Sequence, residues 1–361
     1  MKGIKKFTAN VVMGANVASI VVMLLVGYSG LLDPEQHPVL SCLELSFPVF
    51  LVINLCFLIF WAVVSLKRVV VPLLGFIVGF SPVRTYCPLN IGSGEEPDIR
   101  LLSYNTGGFS LNEDGVNGSG LQEALDYVKQ GHADVSCLQE TSMKKDFRDK
   151  FKDVYPYCDS VYHKQGHNSI VVLSKYPILR KERINYESSG NLSGAFWLDV
   201  NGRQLIVISN HLESVGLSIE ERSDFRDMVH GEQSSEGVRK DTKRLLVKLA
   251  ERNVIRARQV RVLSNFIRQQ KGVPVILCGD FNTSPLSYPC YKFSEQLTDC
   301  YRQRGNGLGW TFCRDAIRVR IDHVFCSEEL TPVSCEIDKS VSASDHYPVI
   351  CGLKWSENTQ K

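Results

Sequence analysis

The stretch "PVILCGDFNTSP", Pro274 to Pro285, runs four apolar residues straight into Asp280 and Asn282, a carboxylate and an amide two positions apart. Val275 to Cys278 reads as a short buried strand bounded by Pro and Gly. Chain that stays extended past Gly279 turns Asp280 and Asn282 to the same side. An Asx-type turn explains the same residue types without chemistry, so the stretch needs partners. Other strand-like runs supply them. "LLSYNTGG" ends at Asn105, "VSCLQET" at Glu140, and "VISNHLES" at Asn210 and His211, while "RIDHVF" carries Asp322 and "SASDHYPV" offers Ser344, Asp345 and His346. Singly, each has a bland account: Asn105 starts a Gly turn, Glu140 caps a helix, His211 is a satisfied, partly buried histidine and Asp345 opens a turn. Jointly, polar residues of these types at strand ends suit metal or phosphate chemistry, because strand edges are where a rigid scaffold presents reactive groups.

The elements that must position them alternate short apolar strands with helical stretches after residue 98. Strands are predicted at "IRLLSYN", "ADVSCLQE", "SIVVLSK", "GAFWLDVNG", "RQLIVISNHL", "VPVILCGDFN", "RIDHVFC" and "YPVICGLKW". Asn201-Gly202 between two apolar runs predicts a hairpin. Helices are predicted at Gly120 to Gln130 and from Val238 to Gln270, the latter rich in Lys and Arg. Near-helical apolar spacing along it fits a surface helix with a solvated basic face, with attraction to anionic lipid as the alternative. Strands joined partly by hairpins and partly by helices fit two packed sheets covered by helices.

The first 85 residues have a different character. No charge falls between Lys6 and Asp33, or between Glu44 and Lys67. Both runs exceed the roughly 20 apolar residues that cross a bilayer as a helix. The first is too long for a cleaved secretory signal, and a second span after it argues for a retained anchor. A third run between Arg68 and Arg84 holds fifteen uncharged residues with Pro72 and two glycines, which suits a span or a re-entrant segment. Spans are therefore expected at about 8–32 and 45–66, with 69–83 as a third candidate, and a linker at 86–97. Lys2, Lys5 and Lys6, with Lys67 and Arg68, put the N-terminus and the end of the second helix in the cytoplasm by the positive-inside rule. A crossing third segment places the large remainder outside; a re-entrant one leaves it cytoplasmic.

Twelve cysteines form no C-x-x-C pair of the kind that signals structural zinc or a redox motif. They read as buried reduced thiols, which lean toward a reducing compartment. A formal net charge of +2 over 361 residues does not describe a strongly basic nucleic-acid-gripping domain.

The ordered set "YNTGG", "LQET", "NHLES", "GDFNTSP", "RIDHVF" and "SDHYP" resembles the endonuclease/exonuclease/phosphatase superfamily over about residues 98–355. The resemblance implies a four-layer α/β/β/α sandwich and a divalent-metal phosphohydrolase, usually with Mg²⁺ and with Mn²⁺ as an alternative. By motif it places Asn105, Glu140 and Asp345 at the metal; Mg²⁺ takes few carboxylates and keeps several waters. Asp280 and Asn282 face the scissile phosphate, and His346, held by Asp322, acts on the attacking water or the phosphoryl oxygen. The general base is Asp280 or His346. His211 is a phosphate contact, and Asn168 and Asn210 are substrate contacts. Two features depart from the pattern: His323 stands where an aromatic is common, and Asn168-Ser169 replaces a smaller pair. The long stretch from Ser214 to Asp241 reads as a lid or specificity loop beside the site.

These observations describe a membrane-anchored phosphoesterase acting on a phospholipid or another membrane-proximal phosphate ester. Cleavage of nucleic acid is the alternative, and a noncatalytic binding protein on the same fold is the second. The oxygen-rich ligand set disfavours zinc.

Overall fold

A computed structural model describes residues 2–107, 119–130, 133–141, 147–163, 168–216, 218, 221, 223, 235–270, 272–314 and 317–356. The uncharged N-terminal runs become helices α1 (Lys2–Gly27) and α2 (Phe47–Val64), followed by α3 (Val70–Val78) and α4 (Phe80–Tyr86). Lys6–Leu31 and Leu40–Val64 are long and apolar enough to cross a membrane, and Leu66–Val78 with Phe80–Tyr86 forms a pair bent by 68°. The outward side chains of these helices are apolar: Phe7 is 71% exposed, Val63 83% and Ile77 67%. Inward, a small polar cluster joins α1 to α2. Ser19 Oγ donates to Asn54 Oδ1 at 2.9 Å, and Asn54 Nδ2 donates to the Ser19 carbonyl at 3.2 Å. Such bonds hold helices together where water is scarce.

The remainder is a sandwich of two six-stranded sheets. Strands β1 (Ile99–Asn105), β2 (Val135–Gln139), β3 (Tyr157–Tyr162), β4 (Ser169–Ser174), β13 (Leu330–Ile337) and β14 (Val349–Trp355) form the first sheet, in the order β13-β14-β1-β2-β4-β3. The second contains β5 (Ile178–Ile184), β6 (Leu192–Val200), β7 (Arg203–His211), β8 (Val275–Asp280), β9 (Thr298–Asp299) and β12 (Asp322–Cys326), ordered β5-β6-β7-β8-β12-β9. A separate ribbon pairs β10 (Phe312–Arg314) with β11 (Ile317–Val319).

Apolar side chains from the facing surfaces make the inner core, among them Leu101, Cys137, Ile170, Phe196, Val207, Ile276 and Cys278. The outer surface of the first sheet packs Leu102 and Tyr104 against Leu125 and Val128 of α5 (Ser119–Lys129). Helix α6 (Phe147–Phe151) lies on the same side. The second sheet packs Ile206 and Ile208 against Val260 and Leu263 of α7 (Ser235–Gln269), and against Phe293 of α8 (Tyr288–Ser294). Strands covered on both faces carry near-continuous apolar runs, which is why β4 and β8 do not alternate. The order of layers is helix, sheet, sheet, helix, as the resemblance implies.

The hairpin at Asn201-Gly202 forms with both residues at positive φ, 55° and 86°, as a tight turn between right-twisted strands requires. Helix α7 begins three residues before its expected start, and its basic face is largely paired. Lys248 Nζ meets Glu221 at 2.6 Å and Arg252 Nη1 meets Glu213 at 2.6 Å. The linker at 86–97 is also pinned: Asn90 Nδ2 donates to the Gly305 carbonyl at 2.7 Å, and its backbone N–H donates to Asn306 Oδ1 at 2.7 Å.

Candidate active site

Both sheets offer strand ends to one rim of the sandwich. In the second sheet β8 lies between β7 and β12, so that Asp280 is in register with His211 on one side and Asp322 on the other. In the first, Asn105 closes β1 in register with Gln139, the residue before Glu140. Asn105 Nδ2 then bridges the sheets, donating to Glu140 Oε1 at 3.1 Å and to Asp280 Oδ2 at 2.9 Å.

Asp280 is not followed by extended chain. Strand β8 ends there, Asn282 turns into the left-handed region with φ 52°, and its backbone N–H donates to Asp280 Oδ1 at 2.8 Å. The Asx turn and the reactive position are one structure, because the turn occupies Oδ1 and leaves Oδ2 facing the site. The Asn282 side chain donates to the Leu212 carbonyl at 3.0 Å. Glu140 also sits at positive φ, 53°. An unfavourable backbone conformation at two non-glycine positions of one rim is the kind of strain that clusters at functional sites.

Gly279, at φ 125°, makes the approach of β8 to β7 feasible: a Cβ there would lie 2.0 Å from the Asn210 carbonyl oxygen. Gly279→Ala is expected to cost on the order of 3 kcal/mol. A thermal melt of the full chain that shifts by less than a degree would contradict this.

The imidazole of His346 is buried beside two acids. Its Nδ1 is 2.9 Å from Asp322 Oδ2, and its Nε2 is 3.8 Å from Asp280 Oδ2. Burial opposes a charge on this ring, but Asp322 and Asp280 overcome it and hold the pKa up at about 10. Burial, reinforced by Asp322, pushes the Asp280 carboxyl above the usual carboxylate range against the opposing pull of His346 and His211. His211 Nε2 lies 3.5 Å from Glu140 Oε1 and 3.7 Å from Asp280 Oδ2.

Asn105, Glu140, His211, Asp280, Asp322 and His346 therefore form one connected group. Asp345 joins the rim by a different route: its Oδ2 pairs with Arg314 Nη1 at 3.2 Å, and its Oδ1 would lie 3.7 Å from a Cβ on Gly107. Asn210 is fully buried, accepting from Ser193 Oγ at 2.6 Å and donating to the Cys278 carbonyl at 3.1 Å. Asn168 Nδ2 donates to the Gly190 carbonyl at 3.1 Å. Most of the expected lid, including residues 224–234, lies outside the described residues.

Three further residues contribute to the rim, and two of them, Arg314 and Thr311, carry no obvious signal in sequence. Arg314 brings a cation to the rim from the β10–β11 ribbon. Thr311 Oγ1 accepts from both the Ile321 and Asp322 backbone N–H groups at 3.0 Å, fixing the start of β12. Ser344 Oγ donates to the Asn105 carbonyl at 2.8 Å and accepts from the His346 N–H at 3.2 Å. The "SDHYP" motif marks Ser344; nothing comparable marks the other two. His323 fills the aromatic position as a ring. It lies 5.2 Å from Phe281, its Nε2 is 3.0 Å from the Thr283 carbonyl, and burial lowers its pKa.

A model of the Endonuclease/Exonuclease/phosphatase family matches residues 102–346, and one described only as a domain of unknown function matches residues 9–86. No curated protein matches the chain. Solved structures with the same fold include the mannosyl-6-phosphatase of Bacteroides thetaiotaomicron, at 16% identity and TM-score 0.51, covering 71% of this chain and 100% of that one. An endonuclease/exonuclease/phosphatase from Beutenbergia cavernae matches at 18% identity and TM-score 0.50, covering 73% of this chain and 72% of that one.

Proposed function

The chain belongs to the endonuclease/exonuclease/phosphatase family, and on that premise we propose that it is a membrane-anchored, divalent-metal-dependent phosphoesterase acting on a phosphate ester at the bilayer surface. Residues 1–85 form the anchor and 98–355 the catalytic domain. The observation that carries the substrate class is the seat of the catalytic loop on the anchor. Four residues beyond Asp280, Ser284 Oγ donates to Glu44 Oε1 at 3.4 Å. A Cβ on Gly30 would lie 2.2 Å from the Leu286 carbonyl oxygen. The turn between the two apolar helices thus touches the loop that carries Asp280, which suits an ester presented by the membrane.

In this reading Asp280 is the general base. An imidazole already held protonated accepts no proton, so His346 donates from Nε2 to a phosphoryl oxygen while Asp322 fixes its ring. Water attacks phosphorus, its proton passes to Asp280 Oδ2, and the P–O bond to the leaving group breaks. Asn105 orients Asp280 and Glu140 together. His211 is placed to meet a second phosphoryl oxygen. Asn210 acts from behind by holding the β7–β8 edge, and the Asn282 amide braces the turn at Leu212. Arg314, paired with Asp345 at the rim, offers a cation to the ester, and Asn168 is assigned a substrate contact by the motif it stands in.

The donor set fits a hard cation. Glu140 keeps 33% of its side chain exposed, and among the described residues no lysine or arginine pairs with it; oxygen ligands of this kind suit Mg²⁺ or Mn²⁺. Glu140, Asn105 and Asp345 would hold it, where it would neutralise charge developing on the phosphoryl oxygens. Asp280, Asp322 and His346 also offer ligand atoms within 4.8 Å of one another. The Asp322–His346 bond already engages two of these, so we assign that trio to proton and charge handling. Chelation by EDTA is expected to abolish turnover and Mg²⁺ to restore it. Glu140→Gln should raise the Mg²⁺ concentration for half-activity at least about tenfold; an unchanged Mg²⁺ curve would remove Glu140 from the ligand set.

The deciding experiment assays the full-length protein in lipid vesicles on sphingomyelin, a generic phosphodiester, an inositol phosphate and plasmid DNA, with Asp280→Asn as control. Hydrolysis of the lipid that vanishes in the control is the expected result. Cleavage of DNA alone would overturn the substrate assignment in favour of a nuclease. Mg²⁺ binding without hydrolysis of any substrate would favour a binding protein on this fold.

A further inference from the structure

Which face of the bilayer carries the catalytic domain depends on residues 66–86, since a crossing and a re-entrant turn give opposite answers. The contacts of this segment advance in step with α1. At one end Arg68 Nη2 donates to Asn10 Oδ1 at 3.1 Å. Further along, a Cβ on Gly75 would lie 2.9 Å from Ile20, and one on Gly79 3.3 Å from Leu24. At the other end a Cβ on Gly27 would lie 3.0 Å from Pro82. The segment therefore runs parallel to α1 over most of its length. A re-entrant loop would instead return to the end it started from. Helix α2 shows the opposite sense, pairing Asn54 with Ser19 and bringing Phe47 to Gly27. Outward residues of the segment are apolar, with Leu74 53% exposed and Phe80 58%. The bend between α3 and α4 changes its direction without reversing its advance along α1.

The end of the bundle reached by Gly27 and Pro82 is fastened to the catalytic domain. Arg258 Nε meets Glu35 Oε1 at 2.6 Å, and Arg261 pairs with Glu35 and with Asp33 Oδ2, the latter at 2.6 Å. Asn253 Nδ2 donates to Ser41 Oγ at 2.9 Å, and Arg320 Nη2 to the Thr85 carbonyl at 2.5 Å. Charge divides the same way. Lys2, Lys5, Lys6, Lys67 and Arg68 belong to the far end; the near end carries Arg84, and its turn, residues 28–46, contains Asp33, Glu35 and Glu44 but no lysine or arginine.

We infer that residues 66–86 are a third crossing parallel to α1 and that the catalytic domain faces the extracytoplasmic side, so that its substrate is a phosphate ester exposed outside the cytoplasm. The inference rests on the reading that α1 and α2 span the membrane. With three crossings the basic residues of the far end lie inside by the positive-inside rule, and the acidic turn meets the arginines of α7 outside. Of the ten cysteines from Cys87 onward, eight are buried, which keeps their thiols from the exchange that an oxidising compartment would otherwise drive.

The test uses the full chain in a bacterial host, with an N-terminal epitope and either alkaline phosphatase or green fluorescent protein fused after Lys361. Active phosphatase, dark fluorescent protein and an N-terminal epitope protected from protease in intact spheroplasts are expected. Bright fluorescent protein with inactive phosphatase would overturn the inference. An alkaline carbonate wash separates the two readings. Protein retained in membranes with a cytoplasmic C-terminus sinks the third crossing alone, whereas protein released by the wash sinks the spanning reading and this inference with it.

Discussion

Asp280→Asn is expected to lower kcat by about three orders of magnitude, within the span typical of a lost general base, while leaving KM and the fold nearly unchanged. The substitution is close to isosteric, and its carbonyl oxygen can still accept from the Asn282 N–H that Asp280 Oδ1 accepts at 2.8 Å. What it removes is the proton-accepting capacity of Oδ2, the atom that faces His346 at 3.8 Å and receives Asn105 Nδ2 at 2.9 Å. It also removes a buried carboxylate that burial disfavours but that helps hold the charge on His346, so the melting temperature should fall only modestly. The result is read from kcat and KM on the same ester together with a thermal melt. A variant retaining more than a tenth of the turnover would take the proton-accepting role away from Asp280.

His346→Ala should be comparably severe, lowering kcat by about 10²- to 10³-fold, because it removes a charge-assisted donor aimed at developing negative charge. Unlike the first substitution, it also leaves Asp322 and Asp280 buried together without their cation. Breaking a buried pair of this kind costs roughly 3–5 kcal/mol, so His346→Gln is the companion that keeps a neutral donor and most of the volume. Asp322→Asn should lose less, about tenfold to a hundredfold, since it acts chiefly through the 2.9 Å bond to Nδ1 and secondarily through its charge beside Asp280. If Asp322 acts by holding His346, the double variant Asp322→Asn with His346→Ala will be no slower than His346→Ala alone. Losses that multiply would mean that Asp322 contributes by a separate route.

Five of the six residues of this group could be read in sequence because each lies at the end or start of a strand whose apolar run is visible on its own, while His346 was marked by the "SDHYP" motif. Asn105, Glu140, His211, Asp280 and Asp322 all belong to such runs, and Asn201-Gly202 announced its turn through residue types that tolerate positive φ. Of the two readings of Asp280 and Asn282, the Asx turn is the one that forms, because a period of two applies only while the strand lasts and β8 ends at Asp280. Thr311 and Arg314 were invisible for a different reason. Their roles come from where a short ribbon falls on the rim, and ribbons of three residues leave little periodicity to detect. Strands such as β3, β5 and β13 carry polar and charged residues, and their place in the sheets comes from pairing rather than from composition. The fastening of the anchor to α7 lay furthest from view, since Asp33 and Arg261 are brought together only by the complete fold.

The approach of Gly30 to the Leu286 carbonyl has a kinetic consequence. With no room for even a methyl group between turn and catalytic loop, the catalytic domain is seated against the turn rather than hung from a free linker. On the proposed reading of a membrane-borne ester, such an enzyme would encounter substrate by lateral diffusion, and its velocity would follow the mole fraction of ester in the bilayer, not moles per litre. Diluting a lipid substrate with inert lipid at constant bulk concentration should slow it in proportion, whereas a head released by replacing the turn would lose that dependence.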